Sequence, residues 1–174
     1  MGGLLDAASS HPSRLAAHNQ SAQVAHCGAC GECSTVYDII IYNATRNTLT
    51  TAATKCALKA LVGGRLAVAK CFDIEVGFTP PCRDCWVDNV MCDQQLCLFT
   101  CIRSLVLGES KNVVDSTTLN RCLECDERRC GHAFAMCAGA NRRRCGVISD
   151  IGRDSANEIC TNVDPGWPWS ALSS

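Results

Sequence analysis

The segment CRDCWVDNVMCDQQLCLFTC, residues 82–101, decides the fold because five of its twenty residues are cysteine. On a helix, residues three, four or seven positions apart lie on one face. The five cysteines fall into two such groups: Cys82, Cys85 and Cys92, and then Cys97 and Cys101. The spacing predicts a long central helix over residues 82–107, bridged to neighbouring elements in two directions and closed by Gly108.

The composition of the whole chain points the same way. Sixteen of the 174 residues are cysteine, and the chain has only four phenylalanines. Globular chains rarely exceed about 8–10% cysteine unless cysteine chemistry holds them together. Each disulfide adds roughly 2–4 kcal/mol by restricting the unfolded chain, which would offset a thin core of large side chains.

Further helices are predicted on both sides of the central one. A helical hairpin is expected from Thr50 to Val76, with its turn at Gly63-Gly64 and a bridge between Cys56 and Cys71. Helices are also predicted over 119–129 and 133–144, the second ending in three arginines. The β-branched run DIIIY, residues 38–42, is interpreted as a strand or an extended segment.

The chain divides into three parts. Residues 1–26 are small and polar and predict an extended arm, residues 27–152 hold nearly all the cysteines, and residues 153–174 form a Pro- and Gly-rich tail. The predicted fold class is mainly α: a small disulfide-rich helical domain with extended N- and C-terminal arms. A weak internal repeat lies within it, since CDQQLC at 92–97 parallels CDERRC at 125–130.

All sixteen cysteines are predicted to form disulfides, because an even count fits a framework of eight bridges. Their connectivity does not follow from the sequence. The predicted disulfide residues are Cys27, Cys30, Cys33, Cys56, Cys71, Cys82, Cys85, Cys92, Cys97, Cys101, Cys122, Cys125, Cys130, Cys137, Cys145 and Cys160.

Two reactive interpretations compete with this one. The run Cys27-x-x-Cys30-x-x-Cys33 matches the first three ligands of a ferredoxin cluster, but Tyr37 stands near where the fourth would be expected. Cys82-Arg83-Asp84-Cys85 opens a helix, as a redox pair does, yet no βαβ pattern surrounds it. We therefore predict no cofactor and no metal, with a thiol-disulfide oxidoreductase or thiolate metal binder as the alternative.

Charge and motif content narrow the function classes. The formal net charge of -1 argues against a nucleic-acid binder, and no G-x-S-x-G nucleophile motif occurs. We predict that the protein is not an enzyme. The candidate residues for docking on a protein partner are Trp167, Trp169, Arg142, Arg143 and Arg144.

Cysteine usage also predicts the compartment, because disulfide frameworks persist only in oxidising spaces. No transmembrane helix is predicted, since Arg103 interrupts the most apolar run, Leu96 to Leu107. No export signal is apparent after Met1 either, so we expect the chain to be mature or its true start to lie upstream.

Four segments resemble an uncharacterised family of cysteine-rich, exported proteins of algae and related protists. They are HCGACGECS (26–34), YDIIIYNATRNTL (37–49), residues 82–101 and CAGANRRR (137–144). The resemblance covers about residues 26–152 and implies export, but no activity and no catalytic residue. Cys145 departs from the family pattern and Cys160 lies beyond it, so the resemblance suggests that these two pair with each other.

The leading hypothesis is a non-catalytic structural or interaction subunit in an extracytoplasmic compartment. One form of it is a peripheral accessory subunit on the lumenal side of a photosynthetic membrane complex. The alternative is a secreted or cell-surface protein, with the mitochondrial intermembrane space as a further location.

Overall fold

A computed structural model describes residues 13–19, 22–110, 119–151 and 159–164. The described residues form seven helices and no strands. In chain order these helices are α1 Arg14–Asn19, α2 Val36–Ala44, α3 Leu49–Glu75, α4 Pro80–Leu96, α5 Leu98–Val106, α6 Arg121–Arg129 and α7 Gly131–Ala138. The predicted fold class, a mainly helical and disulfide-rich domain, is confirmed.

The central element is α4, which packs against α3 on one side and against α6 and α7 on another. It begins at Pro80, two residues before the predicted start, because proline is favoured in the first turn of a helix. The predicted single helix over 82–107 breaks at Cys97, whose backbone is not helical, so α5 is a separate element.

The predicted hairpin is confirmed in α3. Gly64 adopts a positive φ of 56° and separates two helical arms, residues 49–63 and 65–75. The arms are joined by the predicted bridge between Cys56 and Cys71. An ion pair at 2.6 Å also joins Lys55, in the middle of the first arm, to Glu75, the last residue of the second.

The prediction of a strand or extended segment at residues 38–42 is wrong, because these residues lie in α2. The Thr35 side chain caps this helix by accepting a hydrogen bond from the Asp38 backbone N–H. Ile39 and Tyr42, three positions apart, bury one face of α2 in the core. Helical burial of this face outweighs the β preference of the isoleucine run.

Helix α2 is fixed to the start of α4 by the buried carboxylate of Asp38. It accepts hydrogen bonds from the Thr35 hydroxyl at 2.6 Å, the Thr79 hydroxyl at 2.7 Å and the Thr79 backbone N–H at 2.8 Å. A buried carboxylate is tolerated only when it is satisfied in this way.

The core between these helices is aromatic. Trp86 of α4, predicted as a core residue, packs against Phe78 and Phe134 with ring centroids 6.0 Å and 4.6 Å apart. Its indole N–H donates to the hydroxyl of fully buried Tyr42. Burial raises the pKa of Tyr42, so this hydroxyl stays neutral.

Helices α4 and α5 run antiparallel to α6 and α7, and four disulfides cross between the two pairs. The bridges are Cys85–Cys137, Cys92–Cys130, Cys97–Cys125 and Cys101–Cys122. Along α4 and α5, successive bridged cysteines lie seven, five and four residues apart. Their partners, followed backwards from α7 into α6, lie seven, five and three residues apart. The two repeated CD-containing blocks are therefore each other's partners across the ladder.

Three further bridges lie outside this ladder. Cys33–Cys82 attaches the Gly-rich loop to the start of α4, Cys56–Cys71 joins the two arms of α3, and Cys27–Cys160 joins the N-terminal and C-terminal segments. The suggested pairing of Cys145 with Cys160 is therefore wrong. The structure has seven bridges instead of the predicted eight, because Cys30 and Cys145 are unpaired.

Helix α7 ends at Ala138, not at Arg144 as predicted. Gly139 has a φ of 66°, and a Cβ at this position would lie 2.1 Å from the Gly31 backbone nitrogen. The Gly-rich loop packs directly on the end of the helix, where the Cys33 N–H donates to the Ala138 carbonyl at 2.8 Å. This close approach of two backbones explains the early helix end.

The ends of the chain are described only in part. Within the predicted N-terminal arm, α1 buries Ala17, and the His18 imidazole is hydrogen-bonded to the Asp164 carboxylate at 2.8 Å. Tail residues Trp167 and Trp169 lie outside the described residues, and the three segment boundaries stay predictions. Among the described residues, no helix has the length and apolar character needed to cross a membrane.

Candidate functional site

The disulfide pattern leaves few thiols for chemistry. Cys27 and Cys33 of the cluster-like run are bonded to Cys160 and Cys82, and only Cys30 of the three is unpaired. Cys82 and Cys85 of the redox-like pair also belong to two different bridges, with Cys33 and Cys137. Neither run can therefore act as a set of neighbouring thiolates while these bridges are intact.

Cys145 is unpaired but buried. Desolvation raises the pKa of its thiol to about 12, although a hydrogen bond with the backbone of Asn141 lowers this pKa in part. At neutral pH the side chain is a protonated thiol, which is a poor nucleophile and a poor metal ligand.

The three arginines predicted to dock on a partner are located after α7. Arg142 is buried and paired with Asp150, and it also donates to the Arg46 carbonyl and the Thr50 hydroxyl. Arg144 donates to two backbone carbonyls, those of Ala135 and Gly139. Both guanidinium groups thus stabilise the domain, and Arg143, like Arg144, is partly exposed.

An apolar surface is exposed on α5 and the turns beside it. Phe99 is 87% exposed and Val106 is 78% exposed, and Leu96 and Leu107 are exposed beside them. We call these four residues the outer face of α5. Because the Cys97–Cys125 and Cys101–Cys122 bridges hold this end of the molecule, the outer face is presented on a rigid support.

The opposite side of α5 lines a cavity of about 500 Å³. Leu58 and Leu61 from the first arm of α3 form one wall, and Ile102 and Leu105 of α5 form another. Helices α4 and α6 and the loop around Ile148 complete it. The lining is mainly apolar, and among its polar residues Asn89 and Asp93 of α4 lie close to Asp126 of α6.

That polar end is built around two carboxyl groups. Asn89 donates a hydrogen bond at 2.9 Å to Asp126, which is also hydrogen-bonded to Asp93. Burial, followed by the charge of Asp126, raises the pKa of Asp93 to about 8. Asp93 is therefore mainly protonated at neutral pH, and the pair holds one negative charge.

Asp93 and Asp126 also lie close to the Cys130 sulfur, within 4.8 Å. This sulfur is bonded to Cys92 and is not a thiolate. The group thus offers a cation only two carboxyls, one of them neutral at neutral pH.

Asn89, Asp93 and Asp126 were not predicted as site residues from the sequence. The available signal was the internal repeat, because Asp93 and Asp126 follow the first cysteine of each CD-containing block. Antiparallel pairing of the two blocks leaves the two aspartates three residues out of register, about one helical turn, and their side chains meet across this offset. Predicting this meeting required the connectivity of the bridges, which the spacing alone did not supply.

Comparison with known proteins gives one match. The model of a family described as "Family of unknown function (DUF8771)" matches residues 65–162, more than half of the chain. This segment contains all four bridges of the ladder and both carboxyl groups, and it starts later than the resemblance at residues 26–152. No curated protein and no solved structure matches the chain.

Proposed function

The chain belongs to the DUF8771 family, whose function is unknown, and from its own geometry we propose that it is a non-catalytic interaction subunit of an extracytoplasmic compartment. Its task is to present a rigid apolar surface to a protein partner. The observation that carries the proposal is the outer face of α5, a cluster of exposed apolar side chains beside two bridges of the ladder.

The disulfide bridges favour an oxidising compartment. Seven disulfides are compatible with an oxidising location and would not persist in a reducing cytosol. Combined with the resemblance to exported algal proteins, this favours the thylakoid lumen, where the protein would be a peripheral accessory subunit of a photosynthetic membrane complex. A secreted or cell-surface protein is the alternative form of the same proposal.

The exposure of the α5 side chains and the rigidity of their support favour this surface as the partner site. Phe99 and Val106, seven positions apart on one face of α5, leave large apolar areas in water, as interaction sites on small proteins do. Large aromatic side chains such as Phe99 are favoured at interfaces. A support fixed by disulfides loses little conformational freedom on binding, which favours affinity. Trp167, Trp169 and Arg143 remain predicted additional contacts.

The test is co-purification from the native cell. We expect the protein to fractionate with thylakoid membrane complexes and to be lost from them in a Phe99→Glu variant. Ile74→Glu, at an equally exposed apolar position on α3, is the matched control and should still co-purify. Recovery of the protein only from the culture medium would contradict the lumenal form, and equal behaviour of the two variants would contradict docking through α5.

A further inference from the structure

The cavity between α3 and α5 has the dimensions of a small-molecule site. Its volume of about 500 Å³ falls within the range of roughly 300–1,000 Å³ that is usual for ligand pockets. Leu61 on one wall is 53% exposed and Leu105 on the other is 55% exposed, although both line the cavity. Their apolar surfaces are available to a molecule that enters between the helices.

Disulfides brace each wall of this cavity. Cys101, which itself lines the cavity, is bonded to Cys122 of α6, and Cys97 is bonded to Cys125. On the facing side, the Cys56–Cys71 bridge joins the first arm of α3 to the second. Each wall is therefore internally stiffened by covalent bonds.

The polar end of the cavity is rich in acceptors. Among the described residues, Asn89 Oδ1 and Asp93 Oδ1 are buried without a hydrogen-bond partner. The Asp93–Asp126 pair holds a negative charge, and Glu127 also lines the cavity, whereas Glu109 in the same lining is paired with Arg121. Of the two arginines in the lining, Arg142 is already paired with Asp150.

We propose that this cavity binds a small molecule with an apolar chain and a polar head that donates hydrogen bonds, with the chain between Leu61 and Leu105 and the head at the Asp93–Asp126 pair. A primary amine or a hydroxyl head is complementary to these carboxyl groups. A carboxylate head is not, because it would meet negative charge and bring no donor. This ligand site is separate from partner docking on the outer face of α5.

The test uses three probes of one chain length: decylamine, decanol and decanoate. Each is titrated below its micelle concentration against the full chain carrying a polarity-sensitive dye, and displacement is followed by fluorescence. We expect decylamine and decanol to displace the dye and decanoate to bind at least about tenfold more weakly, since one charge-assisted hydrogen bond is worth about this factor.

Adjacent residues of α3 supply the matched variants. Leu61→Glu places a charge on the cavity wall, whereas Val62, 90% exposed, does not line the cavity. Leu61→Glu should weaken decanol binding at least about tenfold, because a charge in an apolar pocket is strongly unfavourable, while Val62→Glu should leave it unchanged. Ile102→Glu on the facing wall repeats the test, with circular dichroism confirming that each variant is folded.

The head-group assignment has its own variant. The double variant Asp93→Asn and Asp126→Asn removes the charge at constant shape, because a single substitution would let the other carboxyl ionise, and it should reduce the preference for decylamine over decanoate. Equal binding of all three probes, or an unchanged affinity in both Leu61→Glu and Ile102→Glu, would overturn the proposal. It would also be overturned if no probe bound and sedimentation showed a dimer that Leu61→Glu dissociates, because a second copy of the chain would then fill the cavity.

Discussion

Cys92 of α4 is bonded to Cys130 at the junction of α6 and α7, and this bridge fixes the register of the whole ladder. The neighbouring bridges follow at similar intervals along both helical pairs, and together they hold the two pairs in a single alignment. The same register brings Asp93 beside Asp126 and leaves one apolar side of α5 without a covering helix.

The number of free thiols is the first prediction. Under denaturing, non-reducing conditions we expect two maleimide additions per chain, at Cys30 and Cys145, as measured by intact mass. In the native protein only the partly exposed Cys30 should react, because Cys145 is buried. No addition would indicate an eighth bridge, and more than two would contradict the seven pairs.

Each bridge should stabilise its own part of the molecule. Replacing Cys101 and Cys122 by serine should lower the free energy of unfolding by about 2–4 kcal/mol and raise amide hydrogen exchange mainly in α5 and α6. The matched double variant at Cys56 and Cys71 should raise exchange mainly in α3. Identical exchange changes in the two variants would argue against independent local effects.

The carboxylate of Asp38 should be essential for joining α2 to α4. Asp38→Ala leaves two hydroxyls and the Thr79 backbone N–H without their acceptor, which should cost about 3 kcal/mol in urea unfolding. Asp88→Ala is the control, because this exposed carboxylate pairs only with exposed Arg65 and should contribute less than about 1 kcal/mol. Similar losses in the two variants would contradict the role of Asp38.

Stability should fall as the pH rises. Unfolded Asp93 releases its proton near its ordinary pKa of 3.8, whereas the folded protein holds it until about pH 8. Between these values the folded state binds the extra proton, so the free energy of unfolding decreases, by at most about 1.4 kcal/mol per pH unit, and levels off above.

The variant Asp93→Asn isolates this effect, because an amide mimics the protonated acid. Urea midpoints measured from pH 5 to 9 should depend less on pH in Asp93→Asn than in the wild type. Asp88→Asn, at an exposed position, should follow the wild type. Parallel pH curves for wild type and Asp93→Asn would show that the Asp93 proton is not linked to folding.

Helix α3 and the bridge that joins its two arms were predictable from local sequence. Gly63-Gly64 lies between the two arms of α3. The cysteines that join the arms, Cys56 and Cys71, are 15 positions apart in the sequence. Such a bridge is local, so spacing was enough to identify it. The helical state of DIIIY was not predictable, since it depends on burial of Ile39 and Tyr42 against elements far along the chain.

The cavity and its acidic end could not be predicted from the sequence for a similar reason. Cys145 and Cys160 are near each other along the chain, yet Cys160 is bonded to Cys27, 133 residues away. Long-range pairing of this kind decides which helix faces meet and which remain open. Local patterns give the helices, whereas tertiary connectivity gives the surfaces on which function depends.

Disulfide mapping of the protein isolated from its own cells tests the central claim most directly. Thiols are blocked during lysis, and peptides are identified by mass spectrometry without reduction. We predict linked peptides for Cys85–Cys137, Cys92–Cys130, Cys97–Cys125 and Cys101–Cys122, all four oxidised in the native protein. Blocked free thiols at these eight positions, or bridges within the Cys82–Cys85 and Cys122–Cys125 pairs, would contradict a rigid subunit of an oxidising compartment.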